Sequence, residues 1–593
     1  MCRRALPVAT GLLAAVLGGA ACAQDARRWS PELDYAVVEA RQQAAPVVPG
    51  GQGWSQWGQN ARHTGAVAIA GQSPDAILAN IVVDPFAAQQ QAEWGGSLVT
   101  HYPAPIVAGG DVYMLHKSGT YVSCGPPGSG TPFPCGNTAL NSQVWNIQLL
   151  RWEAGELAAQ WTFESTWKPP PFNGQYEPVF HAALAGDFLY VPGAGGTVFK
   201  LDRSTGEVLA QINPFGDAIE ADAYVAGPLT ADDNGNIYYN AIRFDSVHPW
   251  SADVTGSWLV KVTPKQLVRR VAFGALLPNA PVLCTTTFTS GAPFPPAPDA
   301  APPSIPCLSQ RAGLNVAPAV DQDGTVFTVT RAHRSARHGY IVALNPDLSL
   351  KWAASLRGHL RDGCNNDAGT HPGALFPANG LPGGCRAGTT PGVDPSTNEP
   401  GAGMVHDSST SSPVVAPDGS VLYGALTAYN GFRGHLFKFD GAGNYAAAYG
   451  FGWDTTPAIH ERPGSWSVIL KENHYGGGPY FMISLDQDLV PEWKWQNANT
   501  ETCTRRPDGS LSCVADQPGG FEFCINAPAI DRDGVIYANS EDGFLYALNP
   551  DGTFRKRIFL QAAIGAAYTP LSIGPDGIIY TQNAGHLFAI GAK

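Results

Sequence analysis

The chain has 593 residues, of which 68 are Gly and 50 are Pro, while only 14% carry charge. Such a length exceeds one ordinary compact domain unless the domain is a repeat array, and the turn-rich, β-type composition excludes a helical bundle or a disordered chain. A formal charge of −13 argues against nucleic acid and anionic membrane as partners.

Residues 1–23 begin with a basic stretch at Arg3 and Arg4, run apolar as far as Ala20 and end in small residues. This is the pattern of an export signal, and Ala21-Cys22-Ala23 before Gln24 fits a signal-peptidase site. Lipidation of Cys22 is the alternative, although Gly19 stands where a lipoprotein signal usually has Leu. The expected location is therefore periplasmic or extracellular. No other stretch is long and apolar enough to be a transmembrane segment. Within residues 24–53, positions 29–45 suggest a short helix capped by Ser30 with Pro31 in its first turn, joined onward by the linker PVVPGGQG.

From residue 54 to 593 one phrase recurs. It reads APIVAGGDVYM (104–114), HAALAGDFLYV (181–191), GPLTADDNGNIYY (227–239), APAVDQDGTVFTV (317–329), SPVVAPDGSVLYG (412–424), APAIDRDGVIYA (527–538) and TPLSIGPDGIIYT (569–581). A degenerate copy, TTPAIHERPGSWSVIL, spans 455–470. Alternating apolar residues make half-buried strands, and Asp-Gly or Asn-Gly pairs allow the positive φ of a tight hairpin. Each unit predicts four antiparallel strands, A to D. Pro413 and Pro457, like Pro528 and Pro570, start copies roughly 42–44 residues apart, the period of a β-propeller blade. The expected fold is all-β: a single eight-bladed propeller, or seven-bladed if the degenerate copy is spurious. The last copy lacks a strand D, and AILANIVVDP (76–85) is available to supply it and close the ring.

The acidic turns are not calcium loops. With Gly534 at the invariant sixth position of an EF-hand, position 1 is Ala529 and position 12 is Ser540, so the bidentate Glu is missing. The cysteines pair as near neighbours in Gly/Pro-rich segments: Cys124 with Cys135, Cys284 with Cys307, Cys364 with Cys385, and Cys503 with Cys513, leaving Cys524 over. In an exported chain they read as loop-stapling disulfides.

The long inserts fall between strands B and C (116–143, 241–257, 330–339, 471–479) or between blades (163–180, 274–315, 354–411, 496–526). Both kinds of loop emerge on one propeller face, so a disulfide-stapled cap over one channel mouth is expected. Polar residues just before inner strands or in these loops are the candidate channel-mouth groups: His101, Glu177, His181, Asp222, Asn315, Arg331, His406, Asp407, His474 and Asn526. Imidazoles and carboxylates there offer acid–base or metal chemistry. The basic patch RAHRSARHGY (331–340) reads as a solvated loop. HDSS (406–409) is no catalytic triad, because residues adjacent in sequence rarely have triad geometry and no G-x-S-x-G elbow is present.

These repeats resemble the quinoprotein-like, pyrroloquinoline quinone (PQQ)-type β-propeller repeat. LDRSTGEV (201–208) keeps its T-G turn, Trp161, Trp352 and Trp495 stand at its late, blade-docking tryptophan, and WSQWGQNARHTG (54–65) is similar to its N-terminal W-x9-T-G phrase. The resemblance implies two families of function. One is a scaffold, like the propeller lipoprotein of the outer-membrane barrel-assembly machinery. The other is a PQQ-dependent alcohol dehydrogenase, with PQQ and calcium as cofactors and paired adjacent cysteines against the quinone. This chain has no Cys-Cys pair and no C-x-x-C-H haem motif. The reading taken forward is a monomeric binding or scaffold propeller for a protein or polymer partner, with the PQQ-dependent oxidoreductase as the alternative and a polymer-acting hydrolase or lyase behind it.

Overall fold

The computed structural model describes residues 34–37 and 53–593, apart from 94, 97, 99, 124–139, 172–176, 289–296, 365–388, 430–432, 476, 524–526 and 564–569. Eight antiparallel sheets follow one another along the chain, and each is a blade. Blade 1 runs Ile106–Ala108, Asp111–Gly119, Gln143–Glu153 and Glu156–Glu164 from inside to outside. The inner strands of blades 2 to 8 begin at Ala183, Thr230, Ala319, Val414, Ala458, Ala529 and Ser572. The degenerate copy builds a full blade 6: Ala458–Arg462, Ser465–Asn473, Tyr480–Leu485 and Pro491–Gln496. Ala76–Val82 is the outer strand of blade 8, antiparallel to His586–Gly591, so an early segment closes the ring as expected.

The phrase at 54–65 has a role of its own. Each inner strand turns an edge toward the axis, and its amides need acceptors there. Residues 53–72 supply them blade by blade, in order. Gly53 and Trp54 pair with Ala108 and Val107 of blade 1. The Leu184 amide of blade 2 donates to the Ser55 carbonyl at 2.9 Å. In blade 3 the side chain of Gln56 accepts from the Ala231 amide and donates to its carbonyl. The amides of Val320, Val415, Ile459 and Ile530 in blades 4 to 7 donate to the carbonyls of Ala61, Arg62, Thr64 and Gly65, and the Gln72 amide donates to Gly577 of blade 8. Gly65 sits at φ +64, and a side chain there would lie 2.9 Å from Ala458 and 3.1 Å from the Pro528 carbonyl, so the T-G of the phrase is a close-approach requirement.

Blades dock through the late tryptophans, with one shift of register. The indole N–H of Trp352 donates to the Gly441 carbonyl of blade 5 and that of Trp493 to the Pro550 carbonyl of blade 7. Trp161 lies against Gly206. Trp493, not Trp495, therefore fills the third docking position, and Trp495 packs nearby on Tyr546 at 5.1 Å.

The inserts form three two-stranded hairpins, Leu283–Thr285 with Ser304–Pro306, Val393–Asp394 with Glu399–Pro400, and Glu501–Arg505 with Leu511–Ala515. Cys284–Cys307 and Cys503–Cys513 are disulfides, the second across directly opposed residues. Cys364 is also disulfide-bonded, while Cys385, Cys124, Cys135 and Cys524 lie outside the described residues.

Three expectations are corrected. Positions 330–339 are not an insert: strands Val326–Ala332 and Ser335–Leu344 run on to a two-residue turn. The patch RAHRSARHGY is accordingly buried at Arg331, His333 and His338 rather than solvated, because Asp407 enters beside it. Within the expected helix at 29–45, Asp34–Val37 is instead a strand, antiparallel to the outer strand Leu267–Ala272 of blade 3, whose open edge it covers. Among the described residues no helix is long and apolar enough to cross a membrane.

Gly534 tests the hairpin reading. It holds φ +78, and a β-carbon there would stand 2.7 Å from the His460 ring and 3.0 Å from Pro550. Gly534→Val should lower the thermal midpoint, with strain on the order of 1–3 kcal/mol. An unchanged melting curve would argue against this turn.

Candidate functional site

The ten candidate residues do not converge on one centre. Asn315, Arg331, His406 and Asp407 come together where blades 3, 4 and 5 meet. Arg331 stands directly opposite Arg311 on antiparallel strands, a like-charge pair that destabilises unless an anion bridges it. Asp407 is that anion. Its Oδ1 and Oδ2 accept from Arg311 at 2.9 and 2.6 Å, and Oδ2 also accepts from Arg331 at 2.9 Å. Burial alone would raise the Asp407 carboxyl, but the two guanidinium groups overcome it and hold it well below the usual carboxylate range. Asn315 donates to the Asp407 backbone carbonyl at 2.9 Å and accepts from the Val179 amide. Arg311 also donates through Nε to His333 Nδ1, which puts the ring proton on Nε2, and Trp250 stacks on that imidazole at 5.9 Å. His406 lies edge-on to Trp453 at 5.5 Å.

Glu177 belongs to a second centre. Lys117 Nζ lies 2.6 Å from Glu177 and 2.9 Å from Asp84, all three nearly fully buried. Trp145 donates to Glu177 and Tyr102 to Asp84. His101 is buried beside this triad, and burial pulls its imidazole down to about 3. His474 belongs to a third: Glu472 accepts from His474 at 2.7 Å, from Lys494 at 2.7 Å and from Tyr449 at 2.5 Å.

His181 lies at the axis, with the edge of Trp57 5.6 Å away. Trp57 donates to Thr456 Oγ1, and the nearby His63 donates from Nδ1 to the Pro413 carbonyl at 2.8 Å. Burial lowers both His63 and His181 to about 4, so both rings are neutral. Asp222 is part-exposed and joins none of these groups through its side chain. Asn526 lies outside the described residues.

Sequence reasoning missed Arg311, His333, Lys117 and Asp84. Lys117 and Arg311 lie inside strands, His333 in the turn of the basic patch and Asp84 just past the closing strand, and no motif marks any of them. The one usable signal was the pair of buried-strand arginines, which demands a carboxylate from elsewhere.

A calcium beside a quinone needs carboxylate and amide oxygens turned to one point. Among the described residues the one converging set of three His, Cys, Asp or Glu ligand atoms is Cys284, Cys307 and His338, within 4.8 Å of each other. Those two sulfurs are joined to one another, so neither is a thiolate ligand. Between the buried carboxylates of Asp84 and Glu177 the cation is Lys117. Among the described residues no three carboxylates converge on one point.

The open cavity lies at the other mouth. It holds about 860 Å³ and is lined by the A–B turns of blades 1 to 4, by Pro575 of blade 8 and by Gln56, Gln59, Asn60 and Arg62 of the axial segment.

No protein-family profile matches this chain, and no curated protein matches it. Solved structures similar in trace include a europium-containing methanol dehydrogenase, at 10% identity over 89% of each chain with a TM-score of 0.46. The quinohemoprotein alcohol dehydrogenase from Comamonas testosteroni has 11% identity, over 92% of this chain and 81% of that one, with a TM-score of 0.46. BamB from Moraxella catarrhalis has 12% identity, over 87% of this chain and 99% of that one, with a TM-score of 0.29. The fold is an eight-bladed β-propeller of four-stranded antiparallel blades. At such identities the likeness is one of architecture and assigns no activity.

Removing the cation from the second centre should be costly. Lys117→Met leaves Asp84 and Glu177 facing each other in a dry site, and unfolding in urea should show a loss of roughly 3–5 kcal/mol. A loss below about 1 kcal/mol, the scale of an exposed pair, would refute a buried triad.

Acid should destabilise the fold early. His63 and His181 bind protons near pH 6.5 when unfolded but only near 4 when folded, so proton uptake favours the unfolded state as pH falls through that window. Each contributes a slope of about 1.4 kcal/mol per pH unit. Glu177, Asp321 and Asp454, raised by burial, work in the opposite sense, while His101, His333 and His338, all lowered by burial, add to the histidine effect. Thermal midpoints should fall between pH 6.5 and 4.5, and a flat profile would contradict neutral buried rings.

Proposed function

We propose that this is an exported binding propeller that holds a protein or polymer partner through its disulfide-stapled face, acting as a monomer. The observation that carries this reading is the pairing of the inward charges on one another. Lys117 is met by Asp84 and Glu177, Arg311 and Arg331 by Asp407, and Glu472 by Lys494 and His474. Groups so engaged hold blades in place and are not free to trade protons with a substrate. The hairpins of the cap, in contrast, show large apolar side chains to solvent: Val282 is 86% exposed, Leu283 61% and Val514 63%. Apolar residues exposed together mark contact surfaces. The disulfides support an oxidising compartment, in keeping with the export signal expected at 1–23.

The quinone-dependent alternative rests on the repeat resemblance. Purified protein titrated with PQQ and calcium should show no saturable change in quinone absorbance and no dye-linked alcohol oxidation. Saturable binding with turnover would overturn the scaffold reading. In a second arm, Val282→Asp with Leu283→Asp should keep the wild-type melting point yet lose whatever partner the wild type retains from an envelope extract. Equal retention by both proteins would remove the cap from the proposal.

A further inference from the structure

The repeat supplies its own control for the cavity at the A–B mouth. Three blades carry the same D-x-[DN]-G turn, starting at Asp232, Asp321 and Asp531. In all three the first Asp uses Oδ1 to accept the amide four residues on, from Asn236, Thr325 and Val535 at 2.8–2.9 Å. That bond makes the turn. The second oxygen differs. Asp232 Oδ2 accepts from the Tyr238 hydroxyl and the Asn236 side chain, and Asp531 Oδ2 accepts from the Tyr537 hydroxyl and the Gly71 amide. In blade 4 the matching strand residue is Phe327, so no phenol reaches Asp321.

Asp321 is also in the cavity wall, with Gln322, Asp187, Asp233 and Asn234 around the same space and the axial segment as its floor. The side chain partner it finds in the protein is the carboxyl of Asp323, which is itself 75% exposed and 4.0 Å from Lys351. Burial and that second carboxyl raise Asp321 to about 6. The two arginines that line the cavity are turned to other work: Arg62 donates to Glu461, and Arg203 to the Gly186 carbonyl. A carboxyl stripped of its repeat partner and facing a ligand-sized space is short of a donor, and a donor carrying positive charge answers it best.

We infer that the A–B mouth is a binding site for an amine-bearing ligand, whose ammonium group is anchored by Asp321 and whose polar scaffold lies among Gln322, Asn234 and Asp187. This site is separate from the cap and stands or falls independently of the partner proposed there.

The test uses the full-length mature protein and calorimetric titration with a deacetylated glucosamine oligosaccharide, its N-acetylated form, and spermidine. The first and second share the sugar and differ at the amino group, an ammonium in one and an uncharged, bulkier acetamide in the other, and the third carries ammonium groups without a sugar. The amine-bearing sugar should bind saturably and the acetylated one should not. Binding of spermidine with equal affinity would assign the site to the ammonium alone, and its failure would add the sugar hydroxyls to the recognition. Asp321→Asn should weaken binding roughly tenfold or more, the scale of one charge-assisted hydrogen bond. Phe327→Tyr restores the repeat's own phenol and so should weaken binding while leaving the melting point at or above wild type. Equal binding of the two sugars, no binding of either amine, or unchanged affinity in both variants would overturn the assignment.

Discussion

Eight inner strands converging on one axis present a shared problem: each carries an edge of backbone amides toward a space too narrow for another sheet. Leaving a buried amide without an acceptor costs about as much as a lost hydrogen bond. The segment 53–72 meets this by passing the blades in sequence and offering carbonyls, or in blade 3 the amide of Gln56, to the inner strands of blades 1 to 7, and its Gln72 amide then bonds the Gly577 carbonyl in the turn of blade 8. Its continuation then becomes the outer strand of blade 8. One stretch of chain therefore both lines the axis and closes the ring, and the position of every blade relative to the channel depends on it.

That arrangement decides what the channel can hold. Trp57 and His63 are carried to the axis by the segment, where they are fully buried against Thr456, His181 and the Pro413 carbonyl. The axis is filled with protein rather than left as a pore. Charges near it survive burial only where partners meet them, which is why Arg311 and Arg331, opposite each other in register, share Asp407. Neutralised in place, these groups act as cross-braces between blades. The chemistry left accessible is pushed outward, to the cap hairpins on one side and to the A–B turns on the other.

The repeat architecture was legible because its signals are local. A D-G turn, a period-2 apolar run and a fixed spacing are each readable within a dozen residues, and even the closing strand at 76–82 announced itself as an apolar run without a blade. The degenerate copy at 455–470 folds as a blade although His460 and Pro463 interrupt its phrase, since its neighbours leave only a blade-shaped space. The nearby errors are of one or two residues: Trp495 stood for Trp493, which shares its face of the strand. The candidate site was less legible because its members meet only in three dimensions. Four of the ten residues converge around Asp407, while His101 and Glu177 go with Lys117 and His474 with Glu472, centres that nothing in their own phrases singles out. The patch at 331–340 looked solvated because its counter-ion, Asp407, arrives from another blade. The long inserts mark the cap, while the cavity at the other mouth is built from short A–B turns.

In an array of near-identical units, departures from the unit say more about function than the unit does. The turn bond from Asp Oδ1 to the amide four residues on is kept in blades 3, 4 and 7, as folding requires. The phenol on the second oxygen is not needed to make the turn, yet it is present in blades 3 and 7. Phe327 keeps the packing of that position, fully within the core against Trp352, while withdrawing only the hydroxyl. A substitution that preserves shape and removes one donor changes hydrogen bonding and little else, and of the two cavity-lining turns that begin with such an Asp, those of blades 3 and 4, it falls on blade 4 alone.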